Sequence, residues 1–410
     1  MQTARPGAVI GVDTGGTFTD VILLDPASGR MATGKTASTR LDPSRGFGGG
    51  IAAGLGQAGL VGAAIERMLH GTTVATNLIL EGKGAPTALL TTTGFKYVLE
   101  IGRQDIPRRS SLFAWVKPQR PVRPEHIFEV GGRIGPDGTE IEPLDEDAVA
   151  AAAQGIAAEG LGAVAIVLLH SYVNPSHERR AGEILRSLLP EAMVSLSSEV
   201  LPVFREYERG MTTILNVHVM PVVSSYVGRL ESRLSEHDIA APLLLMKSSG
   251  GVIGSARARH RPVETVLSGP AAGAVGAAFV AAAAGYRDLI GIDIGGTSAD
   301  ITLIHDGEPG LTITGHIGEW PLALPMIDIT TVGAGGGSIA RLSQDRVLTV
   351  GPQSAGAEPG PACYGQGGSE PTVTDAHLVL GHLPPYLLDG AFALDVDAAR
   401  RTIADRIAGP

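Results

Sequence analysis

Apolar residues in the first 36 positions form three short runs separated by turn residues, a pattern typical of adjacent β-strands. The runs are Ala8–Val12, Phe18–Leu24 and Met31–Thr36. Two glycines lie within Asp13–Thr17, and Asp25–Gly29 combines Asp, Pro, Ser and Gly, the residues of tight turns. The pattern therefore predicts a β-hairpin followed by a third strand.

The rest of the chain alternates between apolar runs of strand length and longer runs of helical type. Strands are predicted over Thr87–Phe95, Gly162–Tyr172, Pro242–Ser248, Leu289–Ile292 and Ser298–Ile304. Helices are predicted over Phe47–Leu60, Ser176–Leu189, Arg205–Arg233 and Ser268–Gly285. We expect Ser176 to cap its helix and the last helix to be buried.

Two irregular segments suggest how the chain is organised. Gln104–Asp147 is rich in proline and charge, which predicts an insertion with a hairpin at GPDGTE. The pattern loosens over Pro190–Val203. A chain of 410 residues exceeds one ordinary core, so we expect two lobes, residues 1–195 and 196–410.

Nearly the same ten residues occur twice, as GVDTGGTFTD from Gly11 and GIDIGGTSAD from Gly291. Paired glycines allow positive φ, so backbone N–H groups can converge on an anion. The leading aspartates, Asp13 and Asp293, are suited to hold Mg²⁺ through water. Two such hairpins facing each other would bind the β- and γ-phosphates of ATP. The predicted phosphate-binding residues of the two turns are Gly15, Gly16, Thr17, Gly295, Gly296 and Thr297.

The composition narrows the functional classes. A formal net charge of −10 disfavours nucleic acid, whose binding depends on clustered Lys and Arg. The longest small-apolar stretch, Gly273–Gly285, is shorter than the roughly 18 residues of a membrane span, and no signal peptide is recognised. The single cysteine, Cys363, excludes an internal disulfide and predicts a cytoplasmic protein. Cys363 is interpreted as a buried small residue, with a nucleophile as the alternative.

One further pattern is interpreted as accidental. Gly29–Thr36 fits the P-loop spacing G-x-x-x-x-G-K-T, but a P-loop opens a helix at its Lys-Thr. Here Lys35 falls in a predicted strand, and Pro43 lies where the helix should run. The histidines show no zinc-site spacing, and His70 is either a core or loop residue or part of a substrate cleft.

Several stretches together are similar to one protein family. They are GVDTGGTFTDVILLD, HGTTVATNLILEGKGA, SGPAAGAVGA, DIGGTSADITLI, VGAGGGSIA, GPQSAGAEPGPACYGQGG and PTVTDAHLVLG. Over essentially the whole chain they resemble the hydantoinase A / 5-oxoprolinase family, within the superfamily of actin, sugar kinases and Hsp70. The resemblance implies an α/β fold: a two-lobed, actin-like (ribonuclease H-like) ATPase with mixed sheets and β-hairpin phosphate loops.

The resemblance also implies a chemistry. An A-type subunit, with ATP and Mg²⁺, would phosphorylate the carbonyl oxygen of a cyclic amide such as hydantoin, N-methylhydantoin or 5-oxoproline, and hydrolysis would follow. A B-type subunit would be its partner. The alternatives are an ATP-dependent carboxylase subunit acting on acetone or an acetophenone-like ketone, and an inactive fragment that serves only binding or assembly. Two other classes of the superfamily remain as alternatives. A repressor-type sugar kinase would usually carry a Cys-rich zinc motif, whereas this chain has a single cysteine. An Hsp70-like switch would need a peptide-binding β-domain, and none is evident in the sequence.

Site residues follow from the matched motifs. Asp13 and Asp293 would be catalytic and would organise Mg²⁺. Gly335 and Gly336, in VGAGGGS, would bind phosphate, and Ser268–Gly273 would open the helix between the lobes. The substrate cleft would contain His70, Thr72, Thr73, Asn77, Lys247 and Ser268.

Three departures from the family pattern stand out. Asp328 is followed by Ile329 and Thr330 where members often carry histidine, and MKSSGG from Met246 replaces MQSNGG, which puts the substrate in doubt. Members usually continue to a GGAGP-type turn that takes the adenosine, whereas the chain ends at Pro410. We therefore expect a C-terminally truncated chain with an incomplete base pocket and an exposed apolar edge.

Overall fold

The computed structural model of the chain describes residues 7–15, 18–39, 42–103, 113–118, 120–356, 358–387, 390 and 392–409. The strands are β1 Ala8–Thr14, β2 Phe18–Asp25, β3 Arg30–Ala37, β4 Ile65–Thr72, β5 Thr87–Thr92, β6 Ile127–Val130, β7 Arg133–Ile134, β8 Glu140–Glu142, β9 Ala163–Val167, β10 Met193–Leu196, β11 Leu243–Met246, β12 Val252–Gly254, β13 Leu289–Ile294, β14 Ala299–His305, β15 Glu308–Pro309, β16 Leu311–Thr312, β17 Gly315–Ile317, β18 Trp320–Leu322, β19 Met326–Ile327, β20 Ile329–Val332, β21 Ser338–Leu342, β22 Leu348–Ser354, β23 Tyr386–Leu387 and β24 Phe392–Ala393. The helices are α1 Pro43–Ala58, α2 Val74–Leu80, α3 Val98–Ile101, α4 Glu146–Ala158, α5 Ser176–Leu188, α6 Ser197–Val200, α7 Glu206–Glu236, α8 Ser255–His260, α9 Ser268–Ala283, α10 Val373–Val379 and α11 Val396–Ile403.

The first hairpin belongs to a six-stranded sheet in the order β12-β11-β4-β1-β2-β3. Strands β1, β4 and β11 are parallel, and β1, β2 and β3 form an antiparallel meander. Alternate residues of the strands point to the same face, and on one face they pack on α1 and α7, with Phe47 and Tyr226 fully buried. Because the parallel strands run the same way, β1, β4 and β11 all end at the edge that carries the hairpin.

A second sheet of four parallel strands has the order β10-β9-β5-β6. Its central strands are buried on both faces, as parallel strands between helices usually are, and β9 is wholly apolar. Helices α4 and α5 contribute Val149, Ile156 and Leu185 to one side, and α7 covers the other. Helix α7 therefore connects the two sheets.

The second hairpin, β13–β14, lies in a third sheet together with β15 and β20. One side of this sheet faces solvent, with Ile290, Ile292 and Ile294 each more than 60% exposed. Helix α9 precedes it and is also exposed along its outer side, where Phe279 is 76% exposed. The prediction that this helix is buried was wrong, because no described element covers its outer face.

The predicted lobe boundary at residue 195 does not coincide with the division between the sheets. Strands β11 and β12 come after it in the chain, but they extend the six-stranded sheet of the N-terminal region. Ile317, Leu322 and Met326 also pack into the core of that first sheet. The stretch that looked irregular, Pro190–Val203, contains β10 and α6. Mixed α/β architecture is confirmed, with the chain passing back into its first sheet.

Local structure otherwise follows the sequence closely. The predicted strands at both repeated motifs, the hairpin at GPDGTE and the predicted helices are all present. The cap of α5 differs, because Ser176 is the first helical residue and its N–H donates to Asn174 Oδ1 at 3.1 Å. Pro43 was expected to interrupt a helix, but it is the first residue of α1, directly after the cap residue Asp42. Within the described residues, no helix is long and apolar enough to cross a membrane.

Candidate functional site

The first hairpin closes tightly at Gly15. Asp13 lies directly opposite Asp20 across β1 and β2, and the Gly15 N–H donates to the Phe18 carbonyl at 3.0 Å. This hydrogen bond fixes the turn and uses the Gly15 N–H within it. Gly16 and Thr17, two of the predicted phosphate ligands, lie outside the described residues.

Asp13 occupies a space formed by two glycines of neighbouring elements. A Cβ on Gly71 of β4 would lie 2.9 Å from Asp13 Oδ1, and one on Gly269 of α9 would lie 3.8 Å away. The side chain reaches solvent, but the surrounding protein desolvates its carboxyl group. That desolvation, with the charges of Asp20 and Asp293, raises the pKa of Asp13, and Lys35 opposes the shift. The two repeated aspartates are thus close enough to interact electrostatically.

The second hairpin repeats the first in register. Asp293 lies opposite Asp300, and the Gly295 N–H donates to the Ser298 carbonyl at 2.9 Å. The N–H groups of Gly296 and Thr297 donate no hydrogen bond within the described residues. These two N–H groups are therefore available to an anion.

The loop at residues 332–338 braces this hairpin from behind. The N–H groups of Gly336 and Gly337 donate to the Gly295 and Gly296 carbonyls at 3.0 and 2.6 Å. The Gly335 N–H donates to Ser338 Oγ at 2.9 Å, and a Cβ on Gly335 would lie 2.7 Å from the Gly295 oxygen. The loop needs glycine because backbone approaches backbone. Gly335 and Gly336 were predicted to bind phosphate, but their N–H groups are already engaged in this brace.

Helix α9 is fastened to the first sheet at its start. Ser268 Oγ donates to the Thr72 carbonyl at 3.0 Å and accepts from the Thr72 N–H at 3.3 Å. The Leu267 N–H donates to Thr76 Oγ1 at 3.0 Å. Both Ser268 and Thr72 are buried, so the structure places these two predicted cleft residues in a structural joint.

Thr73 and Asn77 lie beside the first hairpin. Thr73 Oγ1 donates to the Thr14 carbonyl at 3.4 Å, and Asn77 Nδ2 donates to Thr73 Oγ1 at 3.3 Å. Asn77 is exposed on the first turns of α2. Of the six predicted cleft residues, these two have side chains that lie at the surface next to the hairpin.

His70 lies below the hairpin and is fully buried. Its Nδ1 is 3.1 Å from the Val12 carbonyl, which can only accept, so Nδ1 carries the proton. The Tyr226 hydroxyl then donates to Nε2 at 2.8 Å, and Phe47 packs edge-on at 5.0 Å. Burial lowers the pKa of His70 to about 4, so it is neutral. It contacts the backbone next to Asp13 and does not line a cleft.

Lys247 is directed towards a buried carboxylate. Its Nζ lies 3.6 Å from Glu264 Oε2, and Arg257 and Arg261 each approach Glu264 Oε1 at 2.9 Å. Glu264 is 6% exposed. Three cations therefore surround one carboxylate beyond the end of β11, and Lys247 belongs to this ion-pair cluster.

Cys363 is fully buried beside the buried carboxylate of Asp375. Burial and Asp375 raise the pKa of the thiol, which keeps it protonated. Asp375 accepts hydrogen bonds from the N–H groups of Ala362 and Cys363 and from Thr372. The thiolate is the reactive form of cysteine, so this environment favours the structural interpretation over a nucleophile.

The P-loop spacing falls on a strand. Lys35 lies in β3, where its Nζ is 2.6 Å from Asp20 Oδ1, and Gly29 ends the turn before that strand with φ of 71°. A P-loop lysine would extend from the start of a helix towards phosphate. The interpretation of Gly29–Thr36 as an accidental match is therefore confirmed.

Replacing Lys35 with alanine is expected to change the nucleotide Kd by less than about threefold in calorimetry without divalent cations. A lysine that contacts phosphate directly would contribute about 2 kcal/mol, so its loss would weaken binding roughly 30-fold. Lys35→Arg serves as the charge-preserving control. Weakening near 30-fold in Lys35→Ala alone would contradict the assignment of phosphate binding to the two hairpins.

A large cavity among the described residues does not include either hairpin. Its volume is about 1220 Å³, and both tryptophans of the chain, Trp115 and Trp320, line it with Phe204 and Tyr207.

Family comparisons agree with this arrangement. A family model described as Hydantoinase/oxoprolinase matches residues 209–410, and one described as Hydantoinase/oxoprolinase N-terminal region matches residues 9–189. The chain belongs to the hydantoinase/oxoprolinase family. Its two repeated hairpins lie one in each matched region, so the family match includes both.

The curated relatives of this family member include several enzymes and enzyme subunits. It is 40% identical to the caprolactamase subunit alpha of Pseudomonas jessenii, over 98% of the chain and 58% of the relative. It is 34% identical to the acetophenone carboxylase gamma subunit of Aromatoleum aromaticum, over 98% and 57% respectively. It is 35% identical to 5-oxoprolinase 1 of Arabidopsis thaliana, over 84% and 28%. The chain thus spans less than two thirds of the curated relatives it matches.

Solved structures show the same fold. Nucleotide-free acetone carboxylase, described as performing ATP-dependent acetone carboxylation, superposes with a TM-score of 0.83 at 29% identity. That match covers 98% of the chain and 59% of the carboxylase chain. The ATP-dependent caprolactamase of Pseudomonas jessenii superposes with a TM-score of 0.81 at 38% identity, covering 97% and 58%. The two superpositions confirm the predicted ATPase-type fold.

The residues at the hairpins fit a magnesium ion that accompanies a nucleotide. Within the described residues, no group of three or more His, Cys, Asp or Glu could hold a metal by itself. Asp13 and Asp293 supply two interacting carboxylates, and Mg²⁺ uses one or two carboxylates with waters and substrate phosphates. These two aspartates would hold the ion.

Sequence reasoning missed four residues that shape the site. Asp20 and Asp300 lie opposite the repeated aspartates, and the tenth position of the repeat already contained both. Gly71 and Gly269 make room for the Asp13 carboxylate. Their role depends on contacts between distant segments, for which the sequence shows no local signal.

Proposed function

We propose that the chain is the nucleotide-binding, A-type subunit of an enzyme that uses ATP to open a cyclic amide. The observation that carries the proposal is the pair of Asp-x-Gly-Gly hairpins in matching register, with Asp13 and Asp293 close enough to influence each other. The relatives named caprolactamase and 5-oxoprolinase support a cyclic amide as the substrate class.

ATP would activate the amide oxygen as a leaving group by phosphorylating it. An amide oxygen is a poor leaving group, and a phosphorylated one leaves readily. The substrate oxygen would form a bond to the γ-phosphorus while the bond to the β,γ-bridging oxygen breaks and ADP departs. Bound Mg²⁺ supplies neutralisation of phosphate charge. The free N–H groups of Gly296 and Thr297 would donate to the phosphate oxygens, and the brace from residues 332–338 would hold them in place.

A second subunit and a location complete the proposal. Relatives are named as alpha, beta and gamma subunits, which supports a partner of B type. The lone thiol, Cys363, is buried and unpaired, in keeping with a reducing cytoplasm. Neither feature alters the assignment of the hairpins as the nucleotide site.

The test is phosphate release from ATP by the purified protein, with and without its B-type subunit. Caprolactam, hydantoin, 5-oxoproline, and acetone with bicarbonate would each be supplied separately. We expect one cyclic amide to stimulate release at least about tenfold. Stimulation by acetone with bicarbonate alone would instead support the carboxylase alternative, which the acetone carboxylase fold match favours. If no compound stimulates release and ATP does not bind, the proposal is rejected.

A further inference from the structure

The end of β1, which carries Asp13, is supported from its buried side by a histidine of the neighbouring strand. Strand β1 lies parallel to β4, with Val12 opposite His70 and Asp13 opposite Gly71. Val12 is buried and Asp13 is exposed, because successive side chains of a strand point to opposite faces of the sheet. His70 therefore contacts β1 from beneath, one residue before the carboxylate that would hold magnesium.

The hydrogen bonds of His70 fix which of its ring nitrogens carries the proton. Nδ1 donates to the Val12 carbonyl at 3.1 Å, and the Tyr226 hydroxyl donates to Nε2 at 2.8 Å. A neutral imidazole has a single N–H, so a donor at Nε2 stabilises the tautomer that donates from Nδ1. Burial raises the pKa of Tyr226 to about 12, so its hydroxyl keeps the proton that it donates.

Tyr226 belongs to α7, the helix that connects the two main sheets. Its side chain is fully buried, and its ring lies 6.0 Å from that of His70 at an angle of 47°. The hydroxyl groups of Thr14 and Thr72, at the ends of β1 and β4, oppose the rise in the pKa of Tyr226. Through one hydroxyl group, α7 therefore interacts with the ends of both strands beneath the first hairpin.

The room around the Asp13 carboxylate is narrow on the side of β4. Gly71 follows His70 directly, and a Cβ at Gly71 would lie 2.9 Å from Asp13 Oδ1. A small shift of β1 against β4 would therefore move the carboxylate. Mg²⁺ demands near-ideal octahedral geometry, so a carboxylate that holds it has to lie at a defined place.

We propose that Tyr226 and His70 are positioning residues for Asp13. Tyr226 fixes the tautomer of His70, and the Nδ1–H of His70 then fixes the end of β1 from which the Asp13 carboxylate extends. Neither side chain touches the nucleotide, and each acts through its neighbour. The inference rests on the proposed function in assuming that the site binds ATP together with Mg²⁺.

The first experiment observes the tautomer by nitrogen-15 NMR of the protein labelled with nitrogen-15 histidine. The signals of His70, identified by their absence in His70→Asn, should show a protonated Nδ1 and an unprotonated Nε2. Tyr226→Phe removes the donor at Nε2, so it should shift the Nε2 signal and reduce the fraction of the Nδ1–H form. Unchanged His70 signals in Tyr226→Phe would overturn the inference, and this readout needs no nucleotide.

The second experiment measures the factor by which Mg²⁺ tightens ATP binding, from calorimetric Kd values with Mg²⁺ and with EDTA. In Tyr226→Phe this factor should fall about tenfold, the effect of moving a carboxylate by about 1 Å when it lies about 4 Å from a divalent ion near a protein surface. The Kd in EDTA should stay within about threefold of normal, because the phosphates still meet the hairpin N–H groups.

Two replacements of His70 separate positioning from a loss of stability. His70→Asn keeps an N–H group near the place of Nδ1, so it should retain most of the magnesium effect. His70→Gln places its amide near Nε2 and leaves the Val12 carbonyl without its donor, so the factor should fall about tenfold. Adding Tyr226→Phe to His70→Gln should lower the factor no further, because the two residues act in series. Equal losses in His70→Asn and His70→Gln would overturn the inference.

Thr91→Val is the matched control for the loss of one buried hydroxyl group. Thr91 Oγ1 donates to the Val167 carbonyl at 3.1 Å in the second sheet, so its removal should leave the magnesium factor within about twofold of normal. An equal fall in Thr91→Val and Tyr226→Phe would overturn the inference, and so would an unchanged factor in Tyr226→Phe. Absence of ATP binding by the unaltered protein would reject the proposed function and this inference together, whereas normal binding with an unchanged factor rejects the inference alone.

Discussion

Replacing Asp13 or Asp293 with alanine should lower ATP turnover of the complete enzyme at least about 100-fold. Each carboxylate lies at the end of a hairpin strand, and the two are close enough that Asp293 raises the pKa of Asp13. Removing one electrostatic contact to the transferring phosphoryl group typically costs a factor of 10² to 10³ in kcat. Steady-state phosphate release at saturating ATP measures the effect.

The control for this prediction is Asp345→Ala, which removes a carboxylate from an exposed turn in the β21–β22 hairpin. It should retain turnover within about twofold. A hairpin whose alanine variant keeps near-normal turnover would have only a structural role. Since the two aspartates interact, the double variant should lose less than the product of the two single losses.

The sequence was sufficient to predict both hairpins, because their information is local. The strands on either side of the repeated motifs alternate between faces, and the glycines end them at defined residues. The third strand of the first sheet was predicted for the same reason, and with it the rejection of Lys35 as a P-loop lysine. The turn residues and the alternation of buried and exposed positions along a strand are both set within about ten residues. No distant contact is therefore needed to infer them.

Sheet order could not be predicted, because it depends on pairing between distant segments. Strand β11 pairs in parallel with β4, although more than 170 residues separate them in the chain. Nothing in the run of leucines at Leu243–Met246 specifies that neighbour. The hairpin β17–β18 packs against α7 in the same unpredictable way. The local pattern therefore gives no sign that segments after residue 195 pair with or pack on the first sheet.

The sequence also could not predict the directions in which side chains and N–H groups point. The sequence identified Gly335 and Gly336 as turn residues next to the site, but only the structure shows that the Gly336 N–H donates to the Gly295 carbonyl and the Gly335 N–H to Ser338 Oγ. His70 has the residue type of a cleft ligand, yet it is neutral and enclosed by Val12, Tyr226 and Phe47. Residue type restricts possible chemistry, and packing determines which atoms remain free.

Stability of the region between the two main sheets depends on a buried charge. Arg209 of α7 is fully buried, and its guanidinium donates to Ser197 Oγ, the Val203 carbonyl and the Leu168 carbonyl at 2.9–3.0 Å. Ser197 in turn donates to the buried Glu178 at 2.6 Å. Glu178 also accepts from the Leu168 and Ser198 N–H groups. The arginine thus connects α7 with the ends of β9 and β10.

Replacing Arg209 with methionine should lower the free energy of unfolding by about 3–5 kcal/mol, the usual cost of removing one partner from a buried charged network. Glu178 would remain buried without its compensating cation, and the Leu168 and Val203 carbonyls would lose their donor. The control is Arg180→Met: Arg180 also contacts two carboxylates, but its side chain is 51% exposed, so its loss should cost at most about 1 kcal/mol. Urea denaturation of both variants measures the difference. Equal costs would mean that burial does not strengthen the Arg209 network, and that α7 is held to the second sheet by its apolar contacts alone.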